Sequence, residues 1–489
     1  MAIGGFVDWR GNPIKREVHG GVRAAWYMYF LTVVTNMVNV PILLNLVTYL
    51  RGTMHMGVSS SATTITNFVG ATSGFSLIGA FLSDSYISRS KTILLFGPLE
   101  FLGYGLLALQ AHVPSLHPPP CNIEAELSNC KEVRGWDATL FYTALYVSAF
   151  GEGCMRACVP SLGADQFDHE DPSESRQQSS FFNWFTFGIS FGGFLGLIFM
   201  VWLENYKGWD IGLGLSSILI LLGLLVVAAG LPFYRNQVLE GSPLTRILQV
   251  LVVAFRNRRF ELHEELEEAQ ESCDERGSTK VLPQTNSLKF LDKACINHGK
   301  EGAWSLCSMT KVEETKIVLP RWHDKHKAGQ DPCFPRNTLH HSHHIPNALV
   351  ERKRKEAEVQ MSLFWLAPQF FLLGVSDVTS FTGLLEFFNS EAPRGMKSIA
   401  TALFWCEIGL ASLLATFLVQ AVNRATRHGH KGGWLEGTSL NNSHLDLFYW
   451  VVAVVGLLGF VNYMYWAKKY VYHQDPRIIV EPSVDQDSP

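Results

Sequence analysis

Glu152 and Arg156 stand four residues apart inside ATLFYTALYVSAFGEGCMRACVPSL, a stretch otherwise apolar enough to lie in lipid. At that spacing two helical side chains share a face and meet. An unpaired charge at bilayer depth costs about 3 kcal/mol, so the carboxylate and the guanidinium are expected to pair. Such a pair either ties helices together or marks the path of a solute or ion. A second polar group lies near the N-terminus, where Thr32, Thr35, Asn36 and Asn39 recur at i, i+3, i+4 and i+7. They form one stripe on an apolar helix, suited either to hydrogen bonds between helices or to the wall of a water-filled cavity. Pro41, just beyond, can kink that helix and turn carbonyls toward such a cavity.

In GAFLSDSYISRSK, Gly79 permits close helix packing, Asp84 sits at a helix end, and Arg89 with Lys91 fill a tight turn. Charges placed this way can lock one helix pair against another and re-pair when the protein changes state. The segment LPRWHDKHKAGQDPCFPRNTLHHSHHIP holds six of the chain's 17 histidines. Its spacing fixes no coordination geometry, and the nine cysteines form no CxxC pair, so no metal and no cofactor is assigned. Cys121 and Cys130, nine apart in a polar loop, are a candidate disulfide.

The elements that position these groups are membrane helices. With 47% hydrophobic and 17% charged residues over 489, the chain is too apolar for a soluble protein of this size. A net charge of −4 gives no basic field for nucleic acid. The first twenty residues are polar and hold no cleavable signal. Runs long enough to cross the hydrocarbon fall at 22–50, 60–83, 92–112, 137–162, 181–203 and 210–233, then at 361–387, 398–421 and 445–467. The expected organisation is a cytosolic N-terminus (1–21), a six-helix bundle (22–233), a linker (234–360), three further helices (361–467) and a tail (468–489). SPLTRILQVLVVAFRNRRF opens the linker as an amphipathic helix over 242–260, lying on the leaflet or packed in the cytosol. Its Arg256, Arg258 and Arg259 place the linker in the cytosol by the positive-inside rule.

These residues resemble a known family. Gly79 to Lys91 looks like the loop between helices two and three of the major facilitator superfamily. GADQFD (Gly163 to Asp168), RQQSSFFNWF (Arg176 to Phe185), LLEFFNSEAP (Leu384 to Pro393), GGWL (Gly432 to Leu435) and LDLFYW (Leu445 to Trp450) are similar to the plant nitrate/peptide transporter family. The opening VDWRGNP and WLENYKGWDIGLGLS most resemble its fourth subfamily, which is associated with nitrate and with the acidic hormones abscisic acid and gibberellin. The resemblance implies an all-α membrane protein built as a major-facilitator-type bundle. It implies a secondary transporter working by alternating access, not an enzyme, that sits in the plasma membrane rather than the vacuolar one. The expected partners are the bilayer and a small anionic solute, with the proton as a coupling ion. Oligomeric state is not specified.

The sequence departs from the family at three places. The helix-one motif whose glutamates couple protons falls on Thr32, Thr35 and Asn36, so those carboxylates are absent. The helix-four lysine falls on Arg156, whose guanidinium keeps the charge, adds a fork suited to carboxylate or nitrate, and does not deprotonate. Glu152 then either neutralises Arg156 between substrates or carries the proton. Between VEETKIVL (Val312 to Leu319) and VERKRK (Val350 to Lys355) the family has three membrane helices, where this chain has the histidine-rich stretch (319–349). That composition cannot span hydrocarbon and reads as altered splicing, a frame-shifted exon or a faulty gene model. The expected architecture is therefore a complete six-helix half plus a three-helix remnant of the second. The last three helices must invert or leave the linker outside. The anticipated roles are Arg156 as anion anchor, Glu152 as its partner, the Thr32 to Asn39 stripe with Trp184 as cavity wall, and Gly79, Asp84 and Arg89 as conformational lock. The rival reading is a transport-inactive truncated chain acting only as a membrane interaction partner.

Overall fold

The computed structural model describes residues 6–56, 58–118, 133, 135–168, 171–238, 241, 243–258, 289–295, 312, 315, 367–392, 396–427, 434 and 445–468. Cys121, Cys130, Ser242 and the 319–349 stretch lie outside them. The long helices are α1 (Gly21–Gly52), α2 (Val58–Ser85), α3 (Arg89–His112), α4 (Trp136–Ala164), α5 (Pro172–Tyr206) and α6 (Trp209–Gly230). A short α7 (Pro243–Arg256) follows, then α8 (Ala367–Glu391), α9 (Lys397–Thr426) and α10 (Leu445–Ala467).

Seven of these helices are long and apolar enough to cross a membrane: α1, α2, α3, α5, α6, α9 and α10. The runs expected at 137–162 and 361–387 form α4 and α8, which fall below that apolarity. The physical reason is plain for α4. Its inner two-thirds is buried against α2 and α3 rather than facing lipid, so it carries polar groups that a lipid-facing helix would not. Glycine makes that burial possible. A β-carbon on Gly79 would lie 2.4 Å from the Cα of Cys154, so α2 and α4 touch backbone to backbone. One on Gly151 would lie 2.3 Å from the amide nitrogen of Glu100, so α3 and α4 do the same.

The chain divides into two compact units. One comprises residues 1–323 and 384–425, the other 324–383 and 426–489. In the first, α1 packs on α5 and α6, α3 on α4 and α6, and α9 lies in the groove between α2 and α4. There Ser161 and Thr401 hydroxyls meet at 3.0 Å, and Cys406 Sγ donates to the Ser73 carbonyl at 3.3 Å.

At the end where α2 finishes, the N-terminal segment is clasped to the bundle. Phe6 and Val7 (β1) pair antiparallel with Asn236 and Gln237 (β2). Arg235, almost wholly buried, donates to Glu174 at 2.7 Å and to the Gln166 carbonyl at 3.0 Å. Arg16 donates to Asp168 at 2.6 Å. The GADQFD stretch is therefore a structural turn between α4 and α5. Asp171 caps α5, accepting from the Ser173 backbone N–H at 2.9 Å, with Pro172 in the first turn where its missing N–H costs nothing. The amphipathic α7 covers its inner face with the 3-10 turn Lys289–Cys295, through Val250, Val253, Ala254, Leu291 and Ala294. Leu248, Val252 and Phe255 stay exposed.

Candidate functional site

Two clusters of buried ionisable groups stand at different levels of the bundle. The first closes the end of α2. Arg89 donates from Nη2 to Asp84 at 2.8 Å and also pairs with Asp165 from the turn after α4. Lys397 at the start of α9 lies 3.5 Å from Asp165. All four side chains are almost fully buried, so two acids and two bases compensate one another away from water. The cluster also grips the α9 N-terminus. Arg89 Nε donates to Ser398 Oγ at 2.7 Å, and the Ile399 backbone N–H donates to Asp84 Oδ2 at 3.0 Å. The helix dipole and its unpaired N–H groups favour a carboxylate there. Gly79 lies against the Cys154 backbone, Asp84 and Arg89 meet within this cluster, and Asp165 and Lys397 complete it.

The second cluster lies midway along α4. Arg156 pairs with Glu152, and its guanidinium stacks over Trp405 of α9, 4.4 Å from the ring centroid. Glu152 is buried, whereas one-fifth of the Arg156 side chain remains accessible. A cation held over an aromatic face and still partly accessible can receive an anion. Glu100 of α3, wholly buried, is the addition that sequence reasoning missed. Its signal was available, since a lone carboxylate in GPLEFLGYG is as anomalous at bilayer depth as Glu152.

The α1 stripe divides. Thr32, Thr35 and Asn36 return their hydrogen bonds to carbonyls of their own helix, at 2.8 Å to Met28, 2.9 Å to Leu31 and 2.8 Å to Thr32. Of the four, Asn39 is the one that reaches across the bundle, donating to Glu100 at 3.1 Å and accepting from Tyr104 at 2.6 Å. Trp184 is 59% exposed and packs edge-on against Phe187, on an aromatic face of α5. Neither it nor Thr32, Thr35 and Asn36 joins the Glu152–Arg156 pair. Among the described residues no group of three or more His, Cys, Asp and Glu could hold a metal ion.

A family model described as PTR2, POT family, matches residues 90–321 and 344–435, more than half the chain. The chain belongs to the POT family. This POT-family chain is 33% identical to Protein NRT1/PTR FAMILY 4.4 of Arabidopsis thaliana, across 95% of itself and 90% of that protein. It is also 33% identical to NRT1/PTR FAMILY 4.5 of the same plant, across 96% of each. Solved structures share the fold. An auto-inhibited POT family peptide transporter superposes with a TM-score of 0.55 at 16% identity, over 93% of this chain and 98% of that one. PepTSo, also described as a POT family transporter, gives 0.56 at 15%, over 92% and 99%. The protein is thus an integral, multi-pass membrane transporter of the major-facilitator type.

Proposed function

We propose that this chain carries a small anionic solute, such as nitrate, a peptide or a carboxylate hormone, by alternating access, and that Arg156 is its anion anchor. The observation that carries this reading is the Arg156 side chain, which is paired with Glu152, stacked over Trp405 and one-fifth accessible. In the resting state Glu152 occupies the guanidinium. An arriving anion with planar oxygens competes for the same fork and displaces it. Trp405 belongs to α9 while Glu152 and Arg156 belong to α4, so the anchor bridges helices that must separate when the cavity opens. Asp84, Arg89, Asp165 and Lys397 close the end of the bundle that the positive-inside rule places in the cytosol, and Gly79 supplies the backbone contact beside them.

The second half lacks three helices. In support, the stretch matched to NRT1/PTR FAMILY 4.4 runs over 544 positions, longer than the 489 residues of this chain. The family match also breaks at 322–343, within the histidine-rich segment. The retained α9 keeps its grip on the first six helices without them.

Uptake of labelled nitrate and abscisic acid into cells expressing this chain, beside an Arg156→Ala version, tests the anchor. Uptake by the parent and its loss in the variant are expected. Equal uptake by both removes Arg156 from the pathway. No uptake by either chain, together with altered abundance or rate of a co-expressed complete relative, moves the assignment to an interaction partner.

A further inference from the structure

The central cluster holds two carboxyl groups and one guanidinium. Glu152 has Arg156; Glu100 has no cation within hydrogen-bonding distance among the described residues. Its Oε1 accepts from the Asn39 side-chain amide at 3.1 Å, and the Asn39 carbonyl oxygen accepts from the Tyr104 hydroxyl at 2.6 Å. This relay has a direction. The Tyr104 hydroxyl donates to the Asn39 carbonyl oxygen and the Asn39 amide nitrogen donates onward to Glu100, so Oε1 is an acceptor. Oε2 is buried and has no hydrogen-bond partner among the described residues. The described surroundings offer no second positive charge. From α4 come Glu152 and Arg156, the charged groups that act on Glu100. From α1 comes the neutral Asn39, and from α6 come Leu224 beside Gly97 and the Ser217 hydroxyl on the Phe101 carbonyl. From α2 comes Phe75, stacked edge-on with Phe150, which in turn meets Phe96 of α3. Tyr104, one turn further along α3, also senses Glu204.

We propose that Glu100 is a proton-binding site, with the proton carried on Oε2, and that it takes the place of the carboxylates missing from α1 in coupling protons to anion movement. This rests on the reading of Arg156 as the anion anchor. When an anion takes the guanidinium, Glu152 loses its cation. If Glu100 were then ionised, three negative groups would share one positive charge in a largely buried site. A neutral Glu100 leaves two, so anion and proton bind together more readily than either alone. The step is a simple protonation: an O–H bond forms at Oε2 with a proton drawn from water, and it breaks when the site opens to the other side. Asn39 and Tyr104 are positioning residues, holding the carboxyl so that only Oε2 is free.

Infrared difference spectroscopy on the purified full chain tests the proton directly. Subtracting Glu100→Gln from the parent at neutral pH should reveal a carboxylic-acid carbonyl band, which Glu152→Gln leaves in place and Asn39→Leu shifts. A difference spectrum showing only carboxylate bands overturns the proposal. Should Glu100→Gln fail to fold, the Asn39→Leu shift decides: a parent carboxylic-acid band unmoved by it refutes Glu100 as its source. Uptake supplies the second reading. The parent should lose about tenfold in rate per pH unit on its alkaline limb, whereas Glu100→Gln should be flat and Glu100→Asp should restore the slope. A parent slope that survives in Glu100→Gln refutes the coupling role. If the parent takes up neither anion, the anchor reading fails, and the infrared band still decides whether Glu100 holds a proton.

Discussion

The backbone N–H of Ile399 donates to the Asp84 carboxylate at 3.0 Å, so the end of α2 caps the start of α9 across 315 residues of sequence. The same carboxylate accepts from Arg89 at 2.8 Å. Asp84 therefore serves two donors that are otherwise closed off from water. Removing one partner of a buried pair leaves the other uncompensated, at about 3–5 kcal/mol. Asp84→Ala is expected to lower thermal stability in detergent markedly and to expose a cysteine placed at position 398 to water-soluble reagents. Asp84→Asn keeps an oxygen for Ile399 but loses the charge, and should fall between. An unchanged labelling rate in both would detach this cluster from opening and closing.

Gly79 makes a sharper steric test. Any β-carbon there meets Cys154 backbone at 2.4–2.8 Å, and backbone cannot rotate aside as a side chain can. Gly79→Val should cost about 1–3 kcal/mol through forced separation of α2 and α4. The neighbouring substitution Gly74→Val, with nothing within 4 Å of its β-carbon, should leave the melting temperature nearly unchanged.

Trp405 holds the guanidinium of Arg156 from the opposite helix, 4.4 Å from its ring centroid. A cation over an aromatic ring is stabilised by about 0.5–2 kcal/mol, so Trp405→Leu should raise the KM for the transported anion about two- to thirtyfold. Trp405→Phe should recover much of it. In a double-mutant cycle with Arg156→Lys the two changes should be less than additive, because they disturb one contact.

How far the sequence revealed these features follows from their range. The Glu152–Arg156 pair was legible because its partners lie one helical turn apart. Gly79 was legible because a glycine one turn before a charged helix end leaves room for a second backbone to approach. Glu100 stands out as a lone carboxylate in an apolar run, but its setting was not legible because Asn39, which donates to it, and Glu152, the carboxylate near it, sit on two other helices. Asp165 and Lys397 likewise find each other only once α9 lies in the α2/α4 groove. The α1 stripe shows the limit of periodicity. Spacing gathered Thr32, Thr35, Asn36 and Asn39 on one face, yet a threonine or asparagine in a helix can satisfy itself on a carbonyl one turn back. Three of them do so, and Asn39 alone of the four bonds to another helix.

Asp171 at the start of α5 gives a pH-dependent prediction outside the bilayer. The Ser173 backbone and hydroxyl donors hold its carboxyl below the usual carboxylate range. A group depressed in the folded state contributes fully above its unfolded value, and that contribution is lost as pH falls through the folded one. Asp171→Ala should therefore melt lower than the parent at neutral pH. The two should converge in strongly acidic buffer, as followed by circular dichroism.

The direction of α9 decides a question that the loop charges leave open. Arg394 and Lys397 favour one orientation, and Arg424, Arg427 and Lys431 the other. Because Lys397, Ser398 and Ile399 bind Asp165, Arg89 and Asp84, α9 begins at the end where α2 finishes, and is not inverted relative to the first six helices. Its 30 residues rise about 45 Å, enough to cross the bilayer. With the α2 end in the cytosol, the sequence past Thr426, which carries the sequon Asn441-Asn442-Ser443, is expected to be open to glycosylation. Expressed in a glycosylating cell, the parent should run faster on a gel after treatment with an N-glycosidase, and Asn441→Gln should not respond. A parent that never carries sugar, while a sequon engineered into the 113–118 loop does, would place the α9 C-terminus in the cytosol and undo the shared anchor of Arg156 and Trp405.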